Sequence, residues 1–148
     1  MNLSESGKQL IKKYEGCILQ AYLCPSSVWT IGFGNTYHPN GNPVKEGDII
    51  TKKQADEYFE IIVKKYVTTI NELVKAPINA NQHAALTSLC YNIGSGNIQK
   101  STVLKLVNLN PNDPKISDAF MMWNRGGGKV LKGLTSRRQA EVALYFSK

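Results

Sequence analysis

No apolar run in the 148 residues approaches the roughly 20 that a membrane-spanning helix needs. The opening residues, MNLSESGKQLIKKYEG, hold no uninterrupted apolar stretch of the kind a secretion signal carries, so synthesis in the cytoplasm is the expectation. Cysteine is scarce: Cys17, Cys24 and Cys90, with no CxxC pair. An odd number without a secretion signal points to free thiols in a reducing compartment. The two histidines, His38 and His83, lie far apart in the chain, so no metal and no other cofactor is expected. Repeats, low-complexity tracts and long linkers are absent, and the length suits one domain or two small lobes. One further shortage bears on chemistry: after Glu15 the next acidic residue is Glu46.

Positive charge, by contrast, is plentiful. Lysine and arginine total 18 against 11 acidic residues, a net charge of +7. The isoelectric point is about 9.3. That balance favours an acidic partner such as nucleic acid, an anionic membrane or an anionic cell wall. The cations are scattered, and solubility explains them equally well. No lysine–arginine cluster alternates with aromatics as a nucleic-acid surface requires, so no nucleic-acid partner is expected.

Local patterns outline the elements. Ser4 is placed to cap a first helix with Leu3 as its staple; Leu10, Ile11 and Tyr14 recur at helical spacing, and Gly16 suits the residue after the end. Residues 17 to 37 read as short strands broken at Pro25-Ser26-Ser27, followed by a turn at HPNGNP, in a small antiparallel sheet ending near residue 47. Thr51-Lys52-Lys53-Gln54 matches a capping box, and an apolar stripe from Ala55 to Val74 then runs to Pro77. Four shorter helices are expected at about 81–93, 101–108, 114–124 and 136–146, with Ser101, Asp113 and Thr135 as caps. The fold class is α+β: a β lobe at about 16–50, an α lobe at about 1–15 and 51–148, a long helix joining them, and a cleft between.

Glu15 ends the first helix. A helix C-terminus carries about half a negative charge, so a carboxylate there is disfavoured and its pKa tends to rise. Lys12 and Lys13 act in the opposite sense. A carboxylic acid still protonated near neutrality can protonate a leaving-group oxygen. An inverting glycosidase pairs such an acid with a second group that activates water on the far side of the sugar, and no aspartate stands nearby to do so. Cys24 and Thr30 are the alternatives: a thiolate serves as base or nucleophile, and a threonine hydroxyl holds a water. Taken alone, Cys24 reads equally as a small buried hydrophobe and Thr30 as an ordinary strand residue.

Glu15-Gly16, then Tyr22-Leu23-Cys24-Pro25, then Val28 to Thr36 (VWTIGFGNT) resemble the active-site strip of the phage-type (T4-like) lysozymes, the muramidases of glycoside hydrolase family 24. That family has a Glu, an Asp nine residues on and a Thr six further, and Glu15, Cys24 and Thr30 keep the spacing. "NQHAALTSLCYNIG", "STVLKLVN" and "FMMWNRGGGKVLKGLTSRRQAE" resemble its later motifs, so the likeness covers nearly the whole chain. It implies a lysozyme-like fold and hydrolysis of the β-1,4 bond between N-acetylmuramic acid and N-acetylglucosamine in peptidoglycan. It also implies Glu15 as general acid, Cys24 in the Asp position, Thr30 in its own place and Arg138 as a supporting residue, with Arg137 one position away. Gly32, Phe33, Gly34 and Asn35 resemble the groove-lining strip, and Tyr22 can stack on a sugar face; Trp29 fits either sugar stacking or core. The resemblance further implies an endolysin that acts as a monomer on the wall, without membrane insertion, after a holin opens the way.

Cysteine for aspartate is the departure. An ordinary thiol is mostly neutral at pH 7, and an ionised Glu15 nearby would raise its pKa further, so a largely neutral thiol holding water with Thr30 is the expectation. The missing acid keeps three other readings open: a lytic transglycosylase, a wall-binding homologue with a weakened site, and a cysteine hydrolase using His38 or His83.

Overall fold

The computed structural model describes residues 1–148. In chain order it comprises α1 (Glu5–Glu15), β1 (Ile18–Leu23), β2 (Trp29–Gly32), α2 (Lys52–Leu73), α3 (Ala80–Ile93), α4 (Ser95–Lys100), α5 (Thr102–Leu109), α6 (Lys115–Met121), β3 (Arg125–Gly126), β4 (Lys129–Val130) and α7 (Lys132–Tyr145). The chain divides into two compact units, Lys12–Lys65 and Met1–Ile11 with Tyr66–Lys148; the divisions fall inside α1 and α2.

The Lys12–Lys65 unit holds the larger sheet. β1 and β2 pair antiparallel, Tyr22 opposite Thr30 and Leu23 opposite Trp29. The loop between them is tight: the Cys24 carbonyl accepts from the Ser27 N–H at 2.8 Å, and the Cys24 N–H donates to Val28 at 3.0 Å. Ser27 takes φ +62°, a left-handed conformation that glycine would adopt with less strain. Ile50 donates to the Leu19 carbonyl at 2.9 Å, so the segment before α2 adds to the other edge of β1. The expected capping box is present. Thr51 Oγ1 accepts from the Gln54 N–H at 3.1 Å, and Gln54 Oε1 accepts from the Thr51 N–H at 2.9 Å. From there the apolar stripe buries Ala55, Phe59 and Val63.

The second unit is helical. Its core gathers Ile70, Leu86, Leu89, Val103, Ile116, Phe120 and Tyr145. Each buried aliphatic or aromatic side chain there stabilises the unit by about 1.5–3 kcal/mol. α3 is central, buried from Gln82 to Tyr91, and packs against α7. Asn79 and Gln82 form a reciprocal capping box at its start. Gly7 on α1 has no room for a side chain: a Cβ there would stand 2.8 Å from Ala84 Cβ. Ser101 caps α5 by accepting from Leu104, as expected; Asp113 accepts from the Lys115 N–H, but the cap position of α6 falls on Pro114, one residue later than expected.

Three features depart from the sequence reading. Gly94 ends α3 but also opens the unforeseen α4. A short β3–β4 hairpin occupies the glycine-rich stretch after α6, which itself stops at Met121. α7 begins at Lys132, so Thr135 lies inside it rather than capping it. Its N–H already donates to the Leu131 carbonyl at 3.0 Å, so the helix has closed before Thr135 is reached.

Candidate active site

Glu15 is the last residue of α1 and half-buried. Gly16 follows at φ +69°, its N–H donating to Lys12 at 3.0 Å, which ends the helix and leaves the Glu15 carboxyl at its tip. Across from it stands the tip of a tight hairpin. Ile31 and Asn35 exchange backbone hydrogen bonds of 2.8 and 2.9 Å and leave Gly32, Phe33 and Gly34 as the turn. Gly34 takes φ +90°, and a Cβ built on it would lie 3.5 Å from Glu15 Oε1. The carboxyl thus rests against bare backbone.

The rest of the turn is fixed from below. Phe33 is 2% exposed and meets the Phe59 ring edge-on at 5.5 Å. Lys12 and Lys52 place their ammonium groups 5.4 and 4.8 Å from the Phe33 centroid, and both reach Asp56 Oδ1, at 3.3 and 3.0 Å. These two cations hold the Asp56 carboxyl below the usual range, the Lys52 hydrogen bond acting most. Asn35 accepts from the Phe33 N–H at 3.3 Å and is buried. Gly32 is buried too. The side chains of Phe33 and Asn35 are therefore spent on the turn, and anything they offer a ligand passes through the backbone they hold.

The sheet carries the other groups. Tyr22 pairs across the ladder with Thr30, and Cys24 follows two residues after Tyr22, so the three share a face. Tyr22 is half-buried and Thr30 buried. Burial first, then the charges of Cys24 and Glu15, push the Tyr22 phenol up. The Cys24 thiol goes the other way from expectation. Hydrogen bonding from the Val28 backbone leads in holding it below its ordinary range; desolvation opposes, while the Ser26 backbone and the Thr30 and Ser26 hydroxyls assist. Donors from the tight turn outweigh the desolvation that opposes them. The Thr30 hydroxyl has one proton and two acceptors for it, the Val28 carbonyl at 3.0 Å and the Cys24 sulfur.

Neither histidine pairs with Cys24. His38 is engaged at both ring nitrogens, by Tyr58 at 2.7 Å and Asp48 at 2.8 Å. His83 lies in the other unit, against Asn71. A cysteine–histidine hydrolase thus loses its base. Cys17, Cys24 and Cys90 form no disulfide.

A model of the phage lysozyme family matches residues 12–141. The chain belongs to the phage lysozyme family. It is 38% identical to an endolysin of Acyrthosiphon pisum secondary endosymbiont phage 1, over 99% of either chain. It is 34% identical to an endolysin of Bacillus phage B103, with 99% of this chain covering 55% of that longer protein. The endolysin from Escherichia coli O157:H7 phage FAHEc1 superposes with a TM-score of 0.90 at 37% identity, covering 99% of this chain and 94% of that one. The fold is accordingly lysozyme-like, mostly helical with a small antiparallel sheet, and the molecule is a lysozyme-type, peptidoglycan-hydrolysing enzyme.

In this phage lysozyme Arg138 sits on α7 with no exposed surface. Its Nε lies 3.1 Å from Glu141 Oε1, and its guanidinium donates to Asn92 Oδ1. Arg137 reaches the same carboxylate at 3.3 Å, and Ser88 donates to it at 2.5 Å. Burial pushes Glu141 up, while Arg138, Arg137 and Ser88 pull it back. Two guanidiniums that keep their protons need the carboxylate between them. Sequence reasoning passed over Glu141, although its spacing of three and four residues from the arginines on one helix is a readable signal.

Proposed function

We propose that Glu15 is the general acid that cleaves the β-1,4 bond between N-acetylmuramic acid and N-acetylglucosamine, with Cys24 and Thr30 managing the attacking water. Glu15 gives its proton to the bridging oxygen as the bond to the anomeric carbon breaks. A water bound by the Thr30 hydroxyl adds to that carbon, and the Cys24 sulfur takes the proton it sheds. Solvent then restores the proton to Glu15 and removes the one on sulfur, so the balance is one water consumed per bond cut. Acid and base assistance of this kind contributes about 10²–10⁴-fold each. The observation that carries the reading is the Glu15 carboxyl at the tip of α1 against side-chain-free Gly34, on the turn that follows β2, while the β1–β2 ladder pairs Tyr22 with Thr30 and brings the Thr30 hydroxyl to the Cys24 thiol. A glycan can approach such backbone closely. Tyr22 is the platform for a sugar face, Gly32 to Asn35 form the backbone wall, and Arg138 is a supporting residue whose orientation Glu141 sets.

A lytic transglycosylase also needs one glutamate and no second acid. The lowered Cys24 thiol beside Thr30 favours hydrolysis, because transglycosylation uses the sugar's own hydroxyl and needs no water-handling pair. Digesting purified peptidoglycan decides it: reducing ends support hydrolysis, 1,6-anhydro ends reject it. For access to the wall we propose a monomer made in the host cytoplasm and released by a holin; no helix is long and apolar enough to cross a membrane. Lysis of expressing cells without any membrane-opening partner would overturn that part.

A further inference from the structure

The β3–β4 hairpin plays no part in the chemistry above, yet it concentrates unmatched charge. Between Asp118 and Glu141 the sequence contains no acidic residue, while Arg125, Lys129 and Lys132 fall within the hairpin and the first residue of α7. All three are exposed, and none takes part in an ion pair. The turn is built to project: Gly127 and Gly128 take φ +58° and +79°, the pair of left-handed residues that a two-residue hairpin requires. The register sets Arg125 opposite Val130 and Gly126 opposite Lys129. A Cβ on Gly126 would stand 2.6 Å from Leu131 Cδ1, so that glycine lets Leu131 fold across the ladder. Val130 and Leu131 nevertheless remain 56% and 42% exposed. Aliphatic side chains left in water beside free cations suit a surface whose charged layer covers an apolar one.

We propose that this hairpin is a peripheral docking element for an anionic phospholipid bilayer. Arg125, Lys129 and Lys132 meet lipid phosphates, and Val130 and Leu131 enter the acyl boundary beneath them. A polyanionic wall polymer would satisfy the cations and leave the two aliphatic side chains in water, which is why lipid is the better match. Attachment is reversible, since three cations and two aliphatic groups fall far short of a spanning segment.

The test is co-sedimentation of the full chain with vesicles of phosphatidylcholine alone and of equal parts phosphatidylcholine and phosphatidylglycerol. Binding to the anionic vesicles should exceed binding to neutral ones at least tenfold and weaken with salt. Arg125→Gln/Lys129→Gln/Lys132→Gln should abolish that preference, and Val130→Ser should weaken binding several-fold with the charge intact. Both variants should keep the wild-type unfolding midpoint and clear lipid-extracted walls at the wild-type rate. Equal binding by the wild type and the triple variant would overturn the proposal, as would an unaffected Val130→Ser or binding to lipid-extracted walls through these residues without binding to vesicles.

Discussion

Burial of His83 ties the stability of the helical unit to pH. It is 1% exposed, and its Nε2 lies 3.0 Å from Asn71 Oδ1. The Asn71 amide nitrogen is committed to the Met1 carbonyl, so Oδ1 is the atom facing the ring and Nε2 carries the proton. Nδ1 is buried with no hydrogen-bond partner, and a second proton there would find no acceptor. Burial first, and the positive N-terminus second, hold the imidazole at about 4 against 6.5 when unfolded. The neutral ring therefore lends stability that is complete above the unfolded value and lost as pH falls through the folded one. Between pH 7 and pH 5 the loss is about 2 kcal/mol, or about 6 °C in midpoint for a domain of this size. Urea unfolding of the wild type and His83→Gln across that interval measures it. Glutamine can still donate to Asn71 but does not titrate, so the variant starts less stable and loses about 2 kcal/mol less on acidification. Parallel declines in the two proteins, or a His83 ring resonance titrating near its unfolded value, would refute the reasoning.

Cys24→Ala should lower wall clearing by roughly 10²-fold. Cys24→Asp should keep or raise the rate and extend it to lower pH, because a carboxylate ionises near pH 4 whereas the thiolate population grows only as pH climbs towards the thiol's lowered pKa; a turbidity assay across pH checks both, and an unchanged alanine variant would reduce Cys24 to packing. Glu141→Gln leaves two buried guanidiniums without a counter-charge and should cost about 3–5 kcal/mol in urea unfolding; a loss under 1 kcal/mol would mean the cluster is solvated.

Much of the scaffold is written in short signals. Ser4, Gly16, Thr51 with Gln54, and Ser101 each mark an end with a bond that the structure contains, because capping depends only on residues within one turn. Where a residue serves two elements, the local signal misleads. Gly94 closes α3 and opens α4, and Thr135 looks like a cap although α7 has already closed around it. The candidate site divides in the same way. Spacing singles out Glu15, Cys24 and Thr30 as candidates, whereas the pairing of Tyr22 with Thr30 becomes visible only in the ladder register. The direction of the Cys24 shift was not legible, because it follows from backbone N–H groups aimed by a turn that includes Ser27 in a left-handed conformation. Nor was the burial of Phe33 and Asn35, which depends on Lys12, Lys52 and Phe59 converging from two helices.

The most direct measurement is clearing of purified walls by Glu15→Gln beside the wild type, with urea unfolding of both. Loss of clearing with an unchanged unfolding midpoint is the predicted result. Wild-type clearing by a folded Glu15→Gln protein would contradict the account at its centre.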